Sequence, residues 1–155
     1  MAKRKVRRPK AQILNLALQD AHIRERFPGF KGRVRRGRAV WRGSLQPRPT
    51  SPIYQVQIVY KLKELPKAYV LSPALAPGAQ HLYPDGSLCL YWPREWWWRS
   101  DCIIAETLIP WAASWLYFYE LWLDTGEWLG PSSHDAPKRE QPNANTTEHQ
   151  LSSLD

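Results

Sequence analysis

The residues of this sequence best suited to nucleophilic chemistry are its two cysteines, Cys89 and Cys102. Cys89 follows an Asp85-Gly86 pair, and this dipeptide is a strong signal for a reversal of the chain. We therefore expect Cys89 on extended chain near the surface, where a thiolate can attack an incoming group. His81 stands eight residues earlier and can approach Cys89 across the turn. The spacing does not decide whether this histidine is a base, an orienting donor or a structural residue.

Cys102 is the rival nucleophile, because we expect it near the start of a helix whose dipole favours a thiolate. Asp101 beside it opposes a negative charge, and Ile103 and Ile104 indicate that this cysteine enters the core. These neighbours favour Cys89 over Cys102. A thiol that follows a turn is also typical of a small buried cysteine beside a structural histidine, so both interpretations of Cys89 remain open at this point.

Other groups are weaker candidates for chemistry. Neither cysteine belongs to a Cys-x-x-Cys motif, so we predict no metal site and no cofactor. Glu120 and Asp124 lie one turn apart and are interpreted as the surface of a helix rather than as a catalytic pair. The aromatic run at residues 96–98 favours core cover or a protein interface over a membrane surface.

The first elements that must position these residues are a helix and a sheet. Apolar residues at near-helical spacing predict a helix over residues 11–26, which Phe27-Pro28-Gly29 ends. Three strand-like segments follow, at residues 38–45, 53–60 and 67–71. The middle one alternates apolar and polar residues, as an antiparallel strand with one covered face does. Together they predict a three- or four-stranded antiparallel meander.

After the meander, residues 72–100 form an irregular segment that carries the His81 to Cys89 stretch. A second helix follows, capped by Ser100 or Asp101, and its broad apolar stripe covers the sheet. Pro110 either kinks this helix or starts a new one at its first turn, and Gly126 stops it. The sequence therefore predicts an α+β domain over residues 11–130, preceded by a basic arm (1–10) and followed by a disordered polar tail (131–155).

The formal charge of +8 is unevenly distributed, because residues 1–50 hold 15 of the 22 Lys and Arg residues against two acids. This asymmetry indicates contact with a polyanion or an acidic protein surface, although a solvated basic arm explains it equally well. No uncharged apolar run of about 18 residues occurs, and no signal peptide is recognised. We therefore predict a cytoplasmic protein without a membrane partner.

The order of these elements resembles the ubiquitin-conjugating enzyme family over residues 11 to about 128. In that family a proline-bounded strand, here residues 65–73, precedes a His-Pro-Asn tripeptide and then a Gly-x-x-Cys-Leu motif. Those motifs read His81-Leu82-Tyr83 and Gly86-Ser87-Leu88-Cys89-Leu90. The resemblance implies the ubiquitin-conjugating-enzyme-like fold, without the terminal helices of eukaryotic members. It also implies that Cys89 accepts the C-terminus of a ubiquitin-like protein as a thioester.

Tyr83 stands where that family has the asparagine that supports the oxyanion or the active-site loop during attack by lysine. The resemblance thus implies thioester formation at Cys89, with His81 and Tyr83 as further site residues, and leaves transfer to lysine unsupported. The aromatic sequence at residues 109–128 is similar to a bacterial branch, the stand-alone members encoded in cyclic-oligonucleotide-based antiphage signalling (CBASS) operons. The partner implied by that branch is a cyclic-GMP-AMP-synthase-like nucleotidyltransferase, whose C-terminus takes the place of ubiquitin's tail to prime antiviral signalling, with a target protein as a further partner.

Three functional hypotheses follow, and they belong to different classes. The first is a transferase that uses Cys89, and the second is a catalytically inactive binding module of the same fold. The third is a basic nucleic-acid binder that uses the arm together with Arg33, Arg35, Arg36 and Arg38. The third ranks last, because the sequence contains no recognised docking motif for nucleic acid.

Overall fold

The computed structural model describes residues 15–90 and 98–131. Within them, one helix precedes a four-stranded antiparallel sheet of order β1-β2-β3-β4, and a second helix follows it. The elements are α1 (Leu16–Arg26), β1 (Lys31–Arg35), β2 (Arg38–Leu45), β3 (Tyr54–Lys61), β4 (Lys67–Ser72) and α2 (Leu108–Thr125). The α+β class is thereby confirmed. The predicted arm, the tail beyond Pro131 and all but the last residue of the aromatic run lie outside the described residues.

Helix α1 begins later than the apolar spacing predicts. Asn15 has an extended backbone, and its side chain accepts a hydrogen bond from the Leu18 amide at 2.9 Å, so the helix starts at Leu16. The buried positions of α1 also do not follow its apolar residues alone, because Leu18 is 38% exposed while Gln19 is fully buried. The Gln19 side chain is satisfied by main-chain groups that precede α2, and this explains why a polar residue occupies the buried face.

The sheet follows the alternation of its central strands. In β3 the side chains of Tyr54, Val56, Ile58 and Tyr60 are all buried, as predicted, and the opposite face is more exposed. The sequence pattern did not locate strand β1, which makes the sheet four-stranded rather than three-stranded. All five of its residues are exposed, so no alternation of buried and exposed positions marks it. Its pairing with β2 follows instead from the two-residue Arg36-Gly37 turn, in which both φ angles are positive.

Helix α2 starts at Leu108, with Thr107 as its N-cap, and not at Ser100 or Asp101 as predicted. Pro110 therefore lies in the first turn, where its missing N–H has no carbonyl to bind, and the second of the two predicted roles for this proline is correct. Gly126 ends the helix with φ 79°, and its amide donates to the Trp122 carbonyl at 2.8 Å. The buried side chains of α2 and of the sheet form one core.

Glu120 on α2 is buried, which corrects its interpretation as helix surface. Its carboxylate accepts hydrogen bonds from Arg48 at 2.9 and 2.7 Å, from Ser51 at 2.7 Å and from Tyr54 at 3.0 Å. Burial raises the pKa of this carboxyl, but the hydrogen bonds from Ser51, Arg48 and Tyr54 outweigh it and hold the pKa below its ordinary value. The network ties α2 to the β2–β3 connection and to the start of β3.

Candidate active site around Cys89

The segment from His81 to Cys89 folds back on itself as a short hairpin loop. Leu82 and Leu88 form an isolated antiparallel bridge. The Cys89 amide donates to the His81 carbonyl at 2.8 Å. The expected approach of these two residues across the turn is therefore seen at the level of the main chain. Cys89 follows the Leu82–Leu88 bridge directly and is half-buried, while the expected extended backbone is not seen, because the Leu90 amide donates to the Leu88 carbonyl across Cys89.

A reversal from Tyr83 to Gly86 closes the loop, and the Gly86 amide donates to the Tyr83 carbonyl at 2.9 Å. Pro84 in its second position and glycine in its fourth are typical of a type I turn. The Asp85 carboxylate accepts hydrogen bonds from the Ser87 amide at 3.0 Å and from Lys67 Nζ at 2.6 Å. Lys67 and Ser87 together hold the pKa of Asp85 far below its ordinary value.

The loop is anchored to both layers of the fold. On the sheet side, the Leu88 amide donates to the Ala68 carbonyl of β4 at 2.9 Å, next to the Lys67–Asp85 ion pair. On the helix side, Trp115 Nε1 donates to the His81 carbonyl at 3.2 Å. The hydrogen bonds that the loop makes with β4 and with α2 therefore fix the position of Cys89.

The His81 side chain packs against an aromatic residue that follows α2. Its ring centroid lies 4.6 Å from that of Trp128, and the two planes are inclined at 44°. The backbone of His81 is in the left-handed region, at φ 57°, which is uncommon for a residue other than glycine. In this conformation the His81 carbonyl accepts hydrogen bonds from both the Cys89 amide and the Trp115 indole N–H.

Burial and two neighbouring groups shift the pKa of the Cys89 thiol. Burial raises its pKa, a hydrogen bond with the Tyr83 hydroxyl lowers it, and the charge of Asp85 raises it, so the net effect is a pKa above the ordinary value for cysteine. Tyr83 is 40% exposed. Burial raises the pKa of Tyr83, and the nearby Cys89 raises it further, so Tyr83 stays protonated and able to donate.

The main-chain amides beside the sulfur are already engaged inside the loop. The Cys89 amide binds the His81 carbonyl, and the Leu90 amide binds the Leu88 carbonyl at 2.9 Å. The Tyr83 hydroxyl is the neighbouring side-chain group that lowers the pKa of Cys89. A hydroxyl in this position can stabilise a thiolate or the oxyanion of an acyl adduct.

Cys102 has a different environment from the one expected. It lies six residues before the start of α2, so the helix dipole does not act on it as proposed. Its amide donates to the Arg99 carbonyl at 2.9 Å, and its own carbonyl accepts from Gln19 Nε2 at 2.7 Å. These contacts give Cys102 a place in the packing between α1 and the segment before α2.

Sequence reasoning proposed Cys89, His81 and Tyr83 as members of this candidate site but missed the residues that hold them. Trp115 and Trp128 are far from the loop in sequence, and aromatic periodicity shows only that such residues pack inward. Lys67 stands 18 residues before Asp85, and a lone lysine at the start of a strand carries no signal for such a contact. Asp85 was recognised as a turn residue, yet its ion pair is visible only in three dimensions.

Neither a metal site nor a membrane span is found in the part of the chain that the structure describes. No cluster of three or more histidine, cysteine or acidic side chains there could share a metal ion. Neither described helix has the length and apolar character needed to cross a bilayer.

One comparison with known proteins identifies the family. The model of the type II CBASS E2 protein family, E2-CBASS, matches residues 19–135, which include the whole loop and α2. The chain belongs to the E2-CBASS family. No curated protein matches this sequence. Membership in E2-CBASS gives the chain an E2-like, transferase-type role in CBASS antiviral signalling, with other CBASS proteins as partners.

Proposed function

We propose that this E2-CBASS protein is a cysteine-dependent acyl transferase in which Cys89 forms a thioester with the C-terminus of a partner protein. The observation that carries the proposal is the half-buried thiol of Cys89, held at the end of a loop that β4 and α2 both anchor. Such fixing of a nucleophile lowers the entropic part of the barrier to attack. The arrangement is also what the Gly-x-x-Cys-Leu motif of a ubiquitin-conjugating-enzyme-like fold would require.

The chemical step is acyl transfer to sulfur. The Cys89 thiol loses its proton to solvent or to a base, and the thiolate attacks a C-terminal carbonyl carbon that already carries a leaving group. A carbon–sulfur bond forms while the carbonyl π electrons move onto the oxygen, which becomes an oxyanion. The carbonyl then re-forms, and the leaving group departs with the electron pair of its bond to carbon. The product is a thioester between Cys89 and the partner's last residue.

Tyr83 has two roles in this scheme, and both use its hydroxyl. Before attack it donates to the thiolate of Cys89, which offsets part of the effect of burial on the thiol. During attack it donates to the developing oxyanion, since the amides of Cys89 and Leu90 are engaged within the loop. Tyr83 would thus replace the asparagine of the ubiquitin-conjugating enzymes as the oxyanion donor. His81 acts through its carbonyl as a positioning residue.

The acyl donor that fits this proposal is the C-terminus of the CBASS nucleotidyltransferase. The support for it is family membership, because CBASS proteins are the partners of this family. Tyr83 is partly exposed, and an extended C-terminal tail would approach Cys89 from the side of this residue.

Co-expression of the full chain with the neighbouring nucleotidyltransferase tests this proposal. We expect a covalent adduct on a non-reducing gel that disappears with thiol reductant and is absent from Cys89→Ala. Cys102→Ala is the matched control, and it should retain the adduct. An equally stable non-covalent complex in wild type and Cys89→Ala, with no adduct in either, would instead identify an inactive binding module.

A further inference from the structure

The outer face of the sheet is an open concave surface whose lining is dominated by positive charge. Of the thirteen residues that line it, seven are cationic and one, Glu64, is acidic. Five of the cations are arginines, and they come from β1, its turn and β2: Arg33, Arg35, Arg36, Arg38 and Arg42. We call these thirteen residues the basic face. It lies opposite the buried face that packs in the core.

The register of the strands places like charges directly opposite each other. Arg35 pairs with Arg38 across β1 and β2, and Arg38 in turn pairs with Lys61 of β3. Cations in such positions repel each other and destabilise a sheet. A bound anion between them would convert this repulsion into attraction.

Most of these arginines have no acidic partner. Among the described residues, no carboxylate forms an ion pair with Arg33, Arg35, Arg36 or Arg38. Arg42 donates to the neutral side chain of Gln57 at 2.8 Å. Only the two lysines are neutralised, Lys61 by Glu64 at 3.0 Å and Lys67 by Asp85 at 2.6 Å. The guanidinium groups therefore remain available to an external anion.

We propose that the basic face binds the phosphate backbone of a nucleic-acid strand. Alternate residues of a strand project on one face about 6.7 Å apart, and neighbouring strands lie about 4.8 Å apart. This grid of guanidinium groups matches the repeat of phosphates along an extended nucleic-acid chain, and guanidinium binds phosphate through two parallel hydrogen bonds.

A protein partner fits this surface less well. The centre of a protein interface is depleted of charge and contains large apolar anchors. Here the central pair, Val40 and Val59, is small and aliphatic, and most of the residues around it are cationic, so the face has no large apolar anchor at its centre. Tyr69 of β4 supplies one aromatic ring against which a base can stack. The basic face thus favours the nucleic-acid-binding hypothesis, which ranks last on the sequence alone. This binding does not depend on the chemistry of Cys89.

The test is fluorescence anisotropy of the full chain with a labelled single-stranded RNA of about 20 nucleotides. The variant removes three charges from the basic face by Arg33→Gln, Arg38→Gln and Arg42→Gln. The matched control removes three exposed charges elsewhere by Arg24→Gln, Arg26→Gln and Arg99→Gln. Both variants keep the basic arm of residues 1–10, so the arm cannot produce a difference between them.

We expect the face variant to bind at least about tenfold more weakly than the control, with a log–log salt slope smaller by roughly 2, since each single-strand phosphate contact contributes about 0.7. Its thermal midpoint should equal or exceed that of the wild type, because repulsive pairs are removed, and Cys89→Ala should bind like the wild type. Equal binding by the two triple variants would overturn the proposal. So would equally tight binding of polyglutamate of the same total charge, which would identify an acidic-peptide site.

Discussion

At the scale of single residues, the reactivity of Cys89 depends on a competition between burial and one hydroxyl group. Burial and the charge of Asp85 oppose the thiolate, whereas the Tyr83 hydroxyl stabilises it. The net pKa lies above the ordinary value for cysteine, so the thiol is mainly protonated at neutral pH. Reaction rates that depend on the thiolate should therefore rise with pH until the pH passes the pKa of Cys89.

Tyr83→Phe removes the hydroxyl and keeps the ring, so the pKa of Cys89 should rise further. The pH profile of Cys89 alkylation by iodoacetamide, measured in a Cys102→Ser background, should move to higher pH. At neutral pH the rate should fall roughly threefold to tenfold, since a hydrogen bond to a charged group is lost. Tyr69→Phe is the matched control, because its hydroxyl lies 3.3 Å from Asp85 and belongs to a different contact. Coincident profiles for the Tyr83 and Tyr69 variants would rule out this role for Tyr83.

The site residues differ in how far the sequence predicts them. The Asp85-Gly86 turn is a local signal, so the approach of His81 to Cys89 could be predicted from it. The contact of the Tyr83 hydroxyl with the thiol could not, because it depends on the direction in which the turn points that side chain.

At the scale of secondary structure elements, α2 positions the loop through a single indole. Trp115→Phe keeps the ring packing and removes the hydrogen bond to the His81 carbonyl. We expect faster amide hydrogen exchange across residues 81–90, by about fivefold, because one hydrogen bond is worth about 1 kcal/mol. Trp122→Phe on the same helix is the control, and it should leave exchange in the loop unchanged. Equal exchange in both variants would mean that α2 does not restrain the loop through Trp115.

The Glu120 network provides the second link between α2 and the rest of the fold. Glu120→Gln should lower the free energy of unfolding by about 2 kcal/mol in urea titrations, because Arg48 then loses its buried charged partner and keeps only the exposed Asp124 at 3.9 Å. Asp124→Asn, at a residue whose side chain is 67% exposed, should change it by less than about 0.5 kcal/mol. Similar losses in the two variants would assign no special weight to the buried carboxylate.

The same network predicts a dependence of stability on acid. The folded-state pKa of Glu120 lies below its ordinary value. Its contribution is therefore complete above the unfolded pKa, about 4.3, and is lost as the pH falls through the folded pKa. The stability difference between wild type and Glu120→Gln should shrink on acidification below about pH 4. A difference that stays constant over this range would contradict the assignment.

Element boundaries show what local pattern can and cannot predict. Strands β2 and β3 were placed within a residue of their bounds, and in β3 this follows from the alternation of apolar and polar residues. Strand β1 has no buried residue, so its place in the sheet depends on pairing alone. The apolar residues Ile103 and Ile104 extended the predicted stripe of α2 towards Ser100, but the segment before Thr107 forms turns instead.

At the scale of the whole molecule, the basic face and the Cys89 loop are two separate surfaces, and β4 contacts both of them. Lys67 lines the basic face and also binds Asp85 of the His81–Cys89 loop. The positive charge that the sequence shows in residues 1–50 is therefore concentrated partly on the outer face of the sheet. A ligand on that face would contact the strand to which the loop is anchored.

The most direct test of the central claim is the intact mass of the chain co-expressed with the CBASS nucleotidyltransferase, before and after treatment with neutral hydroxylamine. A thioester at Cys89 predicts a species equal to the sum of the two proteins minus one water. Hydroxylamine should release this chain with a free thiol and the partner as its C-terminal hydroxamate, one NH heavier than the free acid, and Cys89→Ala should not form the adduct. An adduct that resists hydroxylamine, or one that persists in Cys89→Ala, would contradict the assignment of Cys89 as the acyl-accepting residue.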